Sequence, residues 1–239
     1  MPSHDGLHRP PEGDPSVYPP LDPRRAAALR EQLGLTHGQV AWAISAFLAE
    51  PLHPVTLLAW EQAAEVPTGR QIKALAAALW CSPAELLGEP ATLVQCRTLL
   101  GVTVEHVAAE VGMTRDRYAD AERRNRWRGS ARQTQALLGT LSPPPACFVA
   151  ACGRTGQLRV LLREAVTGWW PNYVHPVTKI VPVAQTEVQR ALEQLHLTYQ
   201  RIDNHGEAGA DAEAVEQEAL AFLDRIEEHL WDRLRDQGA

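Results

Sequence analysis

The sequence predicts an all-α fold, in which two helical modules of similar pattern precede a helical C-terminal region. Between Arg24 and Leu138, apolar residues recur three and four positions apart, and polar turn sequences interrupt them at short intervals. Nothing in this stretch alternates with the period of two that is typical of a β-strand. We therefore expect short helices joined by tight turns, with four segments: 1–23, 24–90, 91–150 and 151–239.

The first 23 residues contain seven prolines and almost no apolar periodicity. A packed element there could not offset the conformational entropy that is lost on ordering. Residues 1–23 are therefore predicted to form a disordered tail. They also lack the basic-then-apolar order of a signal peptide.

Composition and motifs argue against several classes of protein. The sequence has no run of about 18 apolar residues, so we expect no membrane partner and a cytoplasmic, nucleoid-associated location. The four cysteines have neither CxxC spacing nor partnering histidines, which predicts reduced thiols, no metal and no cofactor. No phosphate loop, nucleophile elbow or HExxH motif is present, so we do not expect an enzyme.

Charge is distributed unevenly along this chain of net charge −6. Residues 91–140 hold eight arginines against five acidic residues, whereas residues 141–239 hold nine basic against fourteen acidic residues. A locally basic segment within an acidic chain favours one surface that faces a polyanion.

Residues 103–122 have a spacing typical of two helices joined by a tight turn. Thr103 and Thr114 are placed to cap the two helices, and Gly112 allows the turn a left-handed backbone. Three apolar side chains are predicted to face the core: Val107, Val111 and Tyr118.

The exposed first turn of the second helix carries Arg115, Asp116 and Arg117, positions that enter the major groove in a helix-turn-helix. Arg115 and Arg117 are the best candidates to bond guanine edges, with Thr103 beside them at the first cap. Six further residues are predicted to contact phosphates: Arg123, Arg124, Arg126, Trp127, Arg128 and Arg132. The alternative is a solvated, arginine-rich loop.

An earlier segment, 28–88, repeats the pattern in the order of five helices. Thr36 is predicted to cap the second helix, and Trp60 and Glu61 to end the third. Six more residues lie between Thr36 and Trp60 than between the matching positions downstream, which places an insertion in or near residues 45–53. The outward surface of the third helix is uncharged and comprises His53, Pro54, Val55, Thr56, Leu58 and Ala59.

Both segments resemble the Cro/C1 repressor (XRE) family of helix-turn-helix regulators. The first matches at Thr36, Trp60-Glu61 and Pro67, and the second at Glu122, although Ala121 and Val104 depart from the Trp and Gln common there. The resemblance covers about residues 24–140 and implies two tandem lambda-repressor-like domains. The arrangement of the whole chain is similar to that of actinobacterial regulators with Cro/C1 domains. The resemblance places the following first-segment residues at DNA: Thr36, His37, His53, Val55 and Thr56, with phosphate contacts from Arg24, Arg25, Arg70 or Lys73.

The C-terminal region is predicted to hold a helix over 155–170, an irregular or extended segment over 171–183, and a helix over 185–202. Trp169, Trp170 and Tyr173 either line a ligand pocket or belong to a core. A flexible connection over 203–212 precedes a last helix over 212–234, whose apolar stripe must be covered. This helix is predicted to be a packing or dimerisation element.

Together these features predict a sequence-specific regulator that binds double-stranded DNA as a homodimer, at an inverted-repeat operator, and acts as a repressor. The two modules either span adjacent segments of the DNA groove, or one binds DNA while the other supports a dimer interface. The sequence leaves open a small-molecule or protein effector at the C-terminal region. The alternative function is a helical protein-interaction adaptor that uses the same folds as docking surfaces without binding DNA.

Overall fold

The structure, a computed structural model, describes residues 18–207 and 212–237. The secondary-structure elements of these described residues are all helices, which confirms the all-α prediction. None of the described helices is long and apolar enough to cross a membrane. The helices are α1 (Pro23–Gln32), α2 (His37–Leu48), α3 (Pro54–Glu61), α4 (Gly69–Ala78), α5 (Pro83–Leu86), α6 (Leu93–Leu100), α7 (Val104–Glu110), α8 (Arg115–Arg123), α9 (Ala131–Leu141), α10 (Pro145–Ala151), α11 (Thr155–Thr167), a 3-10 helix (Trp170–Tyr173), α12 (Val174–Thr178), α13 (Gln185–Glu207), α14 (Ala212–Asp224) and α15 (Ile226–Gln237).

The chain folds as two compact units. The first unit holds the described residues up to Ala119 together with residues 131–142, and the second holds residues 120–130 and the described residues from Pro143 onward. This division differs from the predicted boundaries at 90 and 150. Helix α10 belongs with the C-terminal helices because Val149 is buried in their core.

Residues 18–22 pack within the first unit, although the sequence predicts that they belong to a disordered tail that ends at residue 23. Leu21 forms an antiparallel bridge with Leu87, flanked by backbone hydrogen bonds of 2.8 and 2.9 Å. The Leu21 side chain is buried, and the carboxylate of Asp22 caps α1. Burial and capping hold a segment whose composition predicted disorder. The rest of the predicted tail, residues 1–17, lies outside the described residues.

Capping residues set the starts of α2 and α4. Thr36 and Thr68 each accept a hydrogen bond from the N–H of the third helical residue, a glutamine whose side chain bonds back to the cap. Helix α5 begins with a proline at its first position, where the missing N–H costs nothing. The apolar faces of α1–α5 enclose a core that includes Ala26, Val40, Ile44, Leu48, Leu57, Trp60, Leu75 and Leu86.

Helices α7 and α8 meet at a tight turn in which Gly112 has a φ of +66°. This left-handed conformation is strained for residues with a Cβ, which agrees with the predicted need for glycine. The side-chain amide of Gln133, on α9, donates to the carbonyl oxygen of Gly112 at 3.2 Å. The predicted core residues are all buried: Val107, Val111 and Tyr118, with Ala108 beside them.

The core of the second unit is built around α11 and α13, which α12, α14 and α15 cover. Helix α13 continues beyond its predicted end at residue 202 to Glu207, into the predicted connection. Residues 208–211 of that connection lie outside the described residues. The buried side chains include Leu158, Leu162, Val166, Leu192 and Leu195.

The segment 171–183, predicted to be irregular or extended, contains the 3-10 helix and α12. Pro171 lies in the first turn of the 3-10 helix and Pro176 in the first turn of α12. The N–H groups of a first turn have no partner within the helix, so proline is tolerated there. Proline count therefore gave a wrong prediction because the positions of the prolines decide their effect.

The last helix, predicted over 212–234, is divided at Arg225 into α14 and α15. The side chain of Arg163 holds this break, donating to the carbonyl oxygen of Leu223 at 3.3 Å and pairing with Asp224 at 2.6 Å. The apolar stripe packs within the second unit, where three of its members are buried: Phe222, Ile226 and Leu230. The sequence predicts that this helix is a packing or dimerisation element. Because its apolar stripe packs against the same chain, the structure favours packing.

Candidate nucleic-acid interface

The first turn of α8 presents three charged side chains on the surface of the first unit. Arg115, Asp116 and Arg117 are exposed, whereas the next residue, Tyr118, is fully buried. The helix is thus held by one face while the predicted base-reading positions point outward. The side chain of Arg117 has no hydrogen-bond or ion-pair partner among the described residues, so its five N–H donors are available to an incoming acceptor.

Arg115, in contrast, already has partners. Its Nε donates to Oε1 of Glu105 at 2.5 Å, and its Nη1 lies 3.5 Å from Oδ1 of Asp116. The hydrogen bond from Arg115 holds the pKa of the Glu105 carboxyl below its ordinary value. Both side chains are more than half exposed, so water and salt weaken the pair. A nucleic-acid acceptor would have to displace Glu105.

The four arginines from Arg123 to Arg128 belong to the second unit, since the division of the chain passes through α8. Arg123 and Arg124 both bond to Asp120, at 2.5 and 3.1 Å, and the bond from Arg123 holds the pKa of Asp120 low. Arg126 and Arg128 are exposed, and in the described part of the chain their side chains have no partner. These two are the better phosphate-binding candidates.

Trp127 does not contribute to a phosphate-binding surface, which corrects the prediction. Its side chain is 4% exposed, and its backbone N–H donates to the carbonyl oxygen of Ala151 at 2.7 Å. The hydrogen bond to Ala151 ties the turn that carries Arg126 and Arg128 to the end of α10.

Thr36 and Thr103, the threonines predicted to face DNA, both cap the helices that follow them. Their hydroxyl oxygens accept from the N–H groups of Gln39 and His106, at 3.3 and 3.2 Å. Both residues are exposed. Both hydroxyl groups are therefore engaged in helix capping. The observation that supports a contact with DNA is the exposure of the two side chains.

The outward surface of α3 carries no formal charge. His53 caps the helix by accepting from the N–H of Val55 at 3.3 Å. Val55 is 62% exposed, and Thr56 is half-buried. This surface can offer methyl groups to thymine, but it has no ionic donor for guanine or phosphate.

His37 is tied to the end of α3 through Glu61. Its Nε2 lies 3.0 Å from Oε2 of Glu61, and the same carboxylate accepts hydrogen bonds of 2.7 and 2.9 Å from Arg30. Burial opposes ionisation of Glu61, but the bonds from Arg30 and His37 outweigh it and hold the pKa of Glu61 below its ordinary value. This network joins α1, α2 and α3, so His37 has a structural role that sequence reasoning missed.

The phosphate contacts predicted to compensate for the uncharged α3 are only partly available. Arg25 pairs with Asp22 at 3.2 Å, and Arg70 donates to the carbonyl oxygen of Leu48 at 2.9 Å. Arg24 is exposed, and its side chain has no partner in the described part of the chain. The first helical module thus presents less free positive charge than the sequence suggested.

The first unit also has an apolar groove that the sequence prediction did not include. The groove has a volume of about 550 Å³, lies between α2 and the end of α4, and is lined in part by Trp42 and Trp80. These two side chains are 76% and 81% exposed. The available sequence signal was the absence of any charged residue between His37 and Glu50.

The aromatic residues of the C-terminal region divide between core and surface. Trp170 and Tyr173 pack against the core of the second unit, whereas Trp169 is exposed. Their arrangement favours the core interpretation for Trp170 and Tyr173.

Comparison of the chain with protein-family models, with curated proteins and with solved structures finds no match. The function therefore rests on the residues and geometry described above.

Proposed function

We propose that this chain is a sequence-specific, double-stranded DNA-binding transcriptional regulator, in which α2–α3 and α7–α8 act as tandem helix-turn-helix units. It acts in the cytoplasm as a homodimer and represses transcription by occupying an inverted-repeat operator. The observation that carries the proposal is the orientation of α8. Tyr118 is buried on one side, and Arg115, Asp116 and Arg117 are exposed on the other.

Within this proposal the arginines have separate roles. Arg117 reads a guanine, because its guanidinium is exposed and unpaired in the described part of the chain. Arg115 reads a second base only after its hydrogen bond to Glu105 is broken. Arg126 and Arg128 bind phosphates, which adds affinity without sequence preference.

The test is a fluorescence-anisotropy titration against DNA fragments from the neighbourhood of the gene, at about 50 and 200 mM salt. We expect affinity to fall steeply with salt. Arg117→Ala should weaken binding to the preferred fragment by about 1–3 kcal/mol and relax its preference over random DNA, whereas Arg126→Ala should weaken both alike. Arg201→Ala is the matched control, because Arg201 is exposed on α13 and no described partner bonds its side chain.

Binding that is absent, or that does not depend on salt, would contradict the DNA proposal. Equal losses on preferred and random DNA for Arg117→Ala would remove this residue from base reading. A loss of the same size for Arg201→Ala would mean that the effects are not specific to the proposed surface.

The second candidate function is a protein-interaction adaptor, and the surface of α3 is the observation that favours it. Val55 and Leu58 are exposed there, and the charged residue of the helix, Glu61, has a buried side chain that is paired with Arg30. Such a surface suits an apolar partner as well as it suits thymine methyl groups. Failure of the DNA titration, together with an intact fold, would favour this function.

A further inference from the structure

A continuous part of the first unit is apolar and uncharged, and most of its side chains are exposed. Along α2, Trp42 and Ala46 lie one turn apart, as do Ala43 and Phe47, and the two rows are adjacent. Trp80, at the end of α4, shares the groove with Trp42 and Ala43. We call these five residues the tryptophan face.

Exposure of these side chains is large: 76% for Trp42, 81% for Trp80 and 60% for Phe47. Single exposed apolar residues are ordinary on protein surfaces, but a contiguous aromatic patch marks an interaction site. Tryptophan in particular contributes much of the binding energy in protein interfaces. The face is therefore suited to being covered by another molecule.

We infer that a second copy of this chain covers the tryptophan face and that the resulting contact is the interface of a two-fold dimer. In such a dimer the same surface meets itself, so it must contain both a projection and a recess. The face has both, since the two projecting indoles border a groove of about 550 Å³. Each copy inserts an indole into the groove of the other.

Charge also favours a second copy. None of the residues that line the groove is charged, and α2 carries no charged residue after its first position, His37. The chain as a whole has a net charge of −6, so identical copies repel each other over much of their surface. Two tryptophan faces can meet without placing like charges opposite each other.

The area available fits a weak, reversible contact. If each indole buries about 200 Å² and Phe47 about 100 Å², two copies together bury about 1,000 Å². This value lies below the roughly 1,200 Å² at which standard specific interfaces begin and falls among weak, transient contacts. We therefore expect a reversible dimer.

The inference names the interface of the homodimer in the proposed function, but it does not rest on DNA binding. Sedimentation velocity of the full chain without DNA, from about 1 to 100 µM, tests it directly. At the highest concentration we expect a mass of twice 26.3 kDa. The double variant Trp42→Ala/Trp80→Ala should raise the dissociation constant at least tenfold.

Two further variants complete the test. Trp169→Ala is the matched control, because Trp169 is 69% exposed but lies in the second unit, and it should leave the dimer unchanged. Ala46→Glu places a negative charge on the exposed face of α2 and should also prevent dimerisation, since the contact would then have to bury an unpaired carboxylate in each copy. Circular dichroism of each variant checks that the fold is retained.

A wild-type chain that stays monomeric at all concentrations overturns the inference. So does a dimer that survives both the double variant and Ala46→Glu, or one that Trp169→Ala dissociates equally. DNA binding is measured in a separate titration, so failure of the dimer and failure of DNA binding are distinguishable.

Discussion

Removing the positive charge of Arg30 should strongly destabilise the first unit. Arg30 is 11% exposed at its side chain and Glu61 6%, and two hydrogen bonds of 2.7 and 2.9 Å join them. Arg30→Met keeps most of the apolar volume but leaves the Glu61 carboxylate buried with His37 as its remaining side-chain partner. The change also removes the hydrogen bond of 3.2 Å from Arg30 to the carbonyl oxygen of Leu35.

The expected cost follows from the burial of both groups. Breaking a buried ion pair by removing one partner costs about 3–5 kcal/mol, because the remaining charge is left without compensation. His37 still bonds to Glu61 and reduces that penalty, so we expect the lower end, about 3 kcal/mol. The double variant Arg30→Met/Glu61→Met removes both charges and should recover part of this loss.

Hydrogen exchange of amides in α1–α4 measures the effect within the first unit. Protection should fall by about a hundredfold in Arg30→Met, since every 1.4 kcal/mol is a factor of ten. Arg24→Met is the matched control, because Arg24 is exposed on the same helix and its side chain has no partner in the described part of the chain. If Arg30→Met costs no more than Arg24→Met, the buried network does not stabilise the fold.

Two further predictions concern pH and backbone conformation. Because the folded-state pKa of Glu61 is lowered, its stabilisation is present above the unfolded pKa of about 4.3 and is lost as pH falls through the folded value. Urea unfolding between about pH 5 and 3 should therefore show a smaller loss of stability in Glu61→Gln than in the wild type, and equal losses would contradict this. Gly112→Ala should cost about 1 kcal/mol, because φ is +66° and no atom lies within 4 Å of the added Cβ, so backbone strain is the only penalty. Gly139→Ala, in the open interior of α9, should stabilise by about 0.5–1 kcal/mol, and thermal unfolding that gives both changes the same sign would refute the reasoning.

Features that depend on neighbouring residues were predictable from the sequence. The capping role of Thr36, the left-handed turn at Gly112 and the burial of Tyr118 beside exposed Arg117 each follow from a few adjacent positions. Proline was misinterpreted in 171–183 because its effect depends on whether a helix has already begun.

The environments of the tryptophans show that local sequence patterns do not suffice to predict burial. Trp60 is predicted, from its match to the family pattern, to lie at the end of α3, and its side chain is buried. Trp127 was predicted to face phosphates and is buried, while Trp42 was not singled out and is exposed. The residue type is the same in all three, so it did not decide their environment.

The sequence by itself determined the all-helical fold, the starts of several helices and the outward arginines of α8, because these depend on residues within one or two turns of each other. Only the tertiary structure decided which apolar surfaces the chain covers for itself. It buries Phe222, Ile226 and Leu230 within the second unit and leaves Trp42 and Trp80 exposed on the first. Burial depends on which distant segments pack together, and that information lies in the arrangement of the helices and not in any one of them.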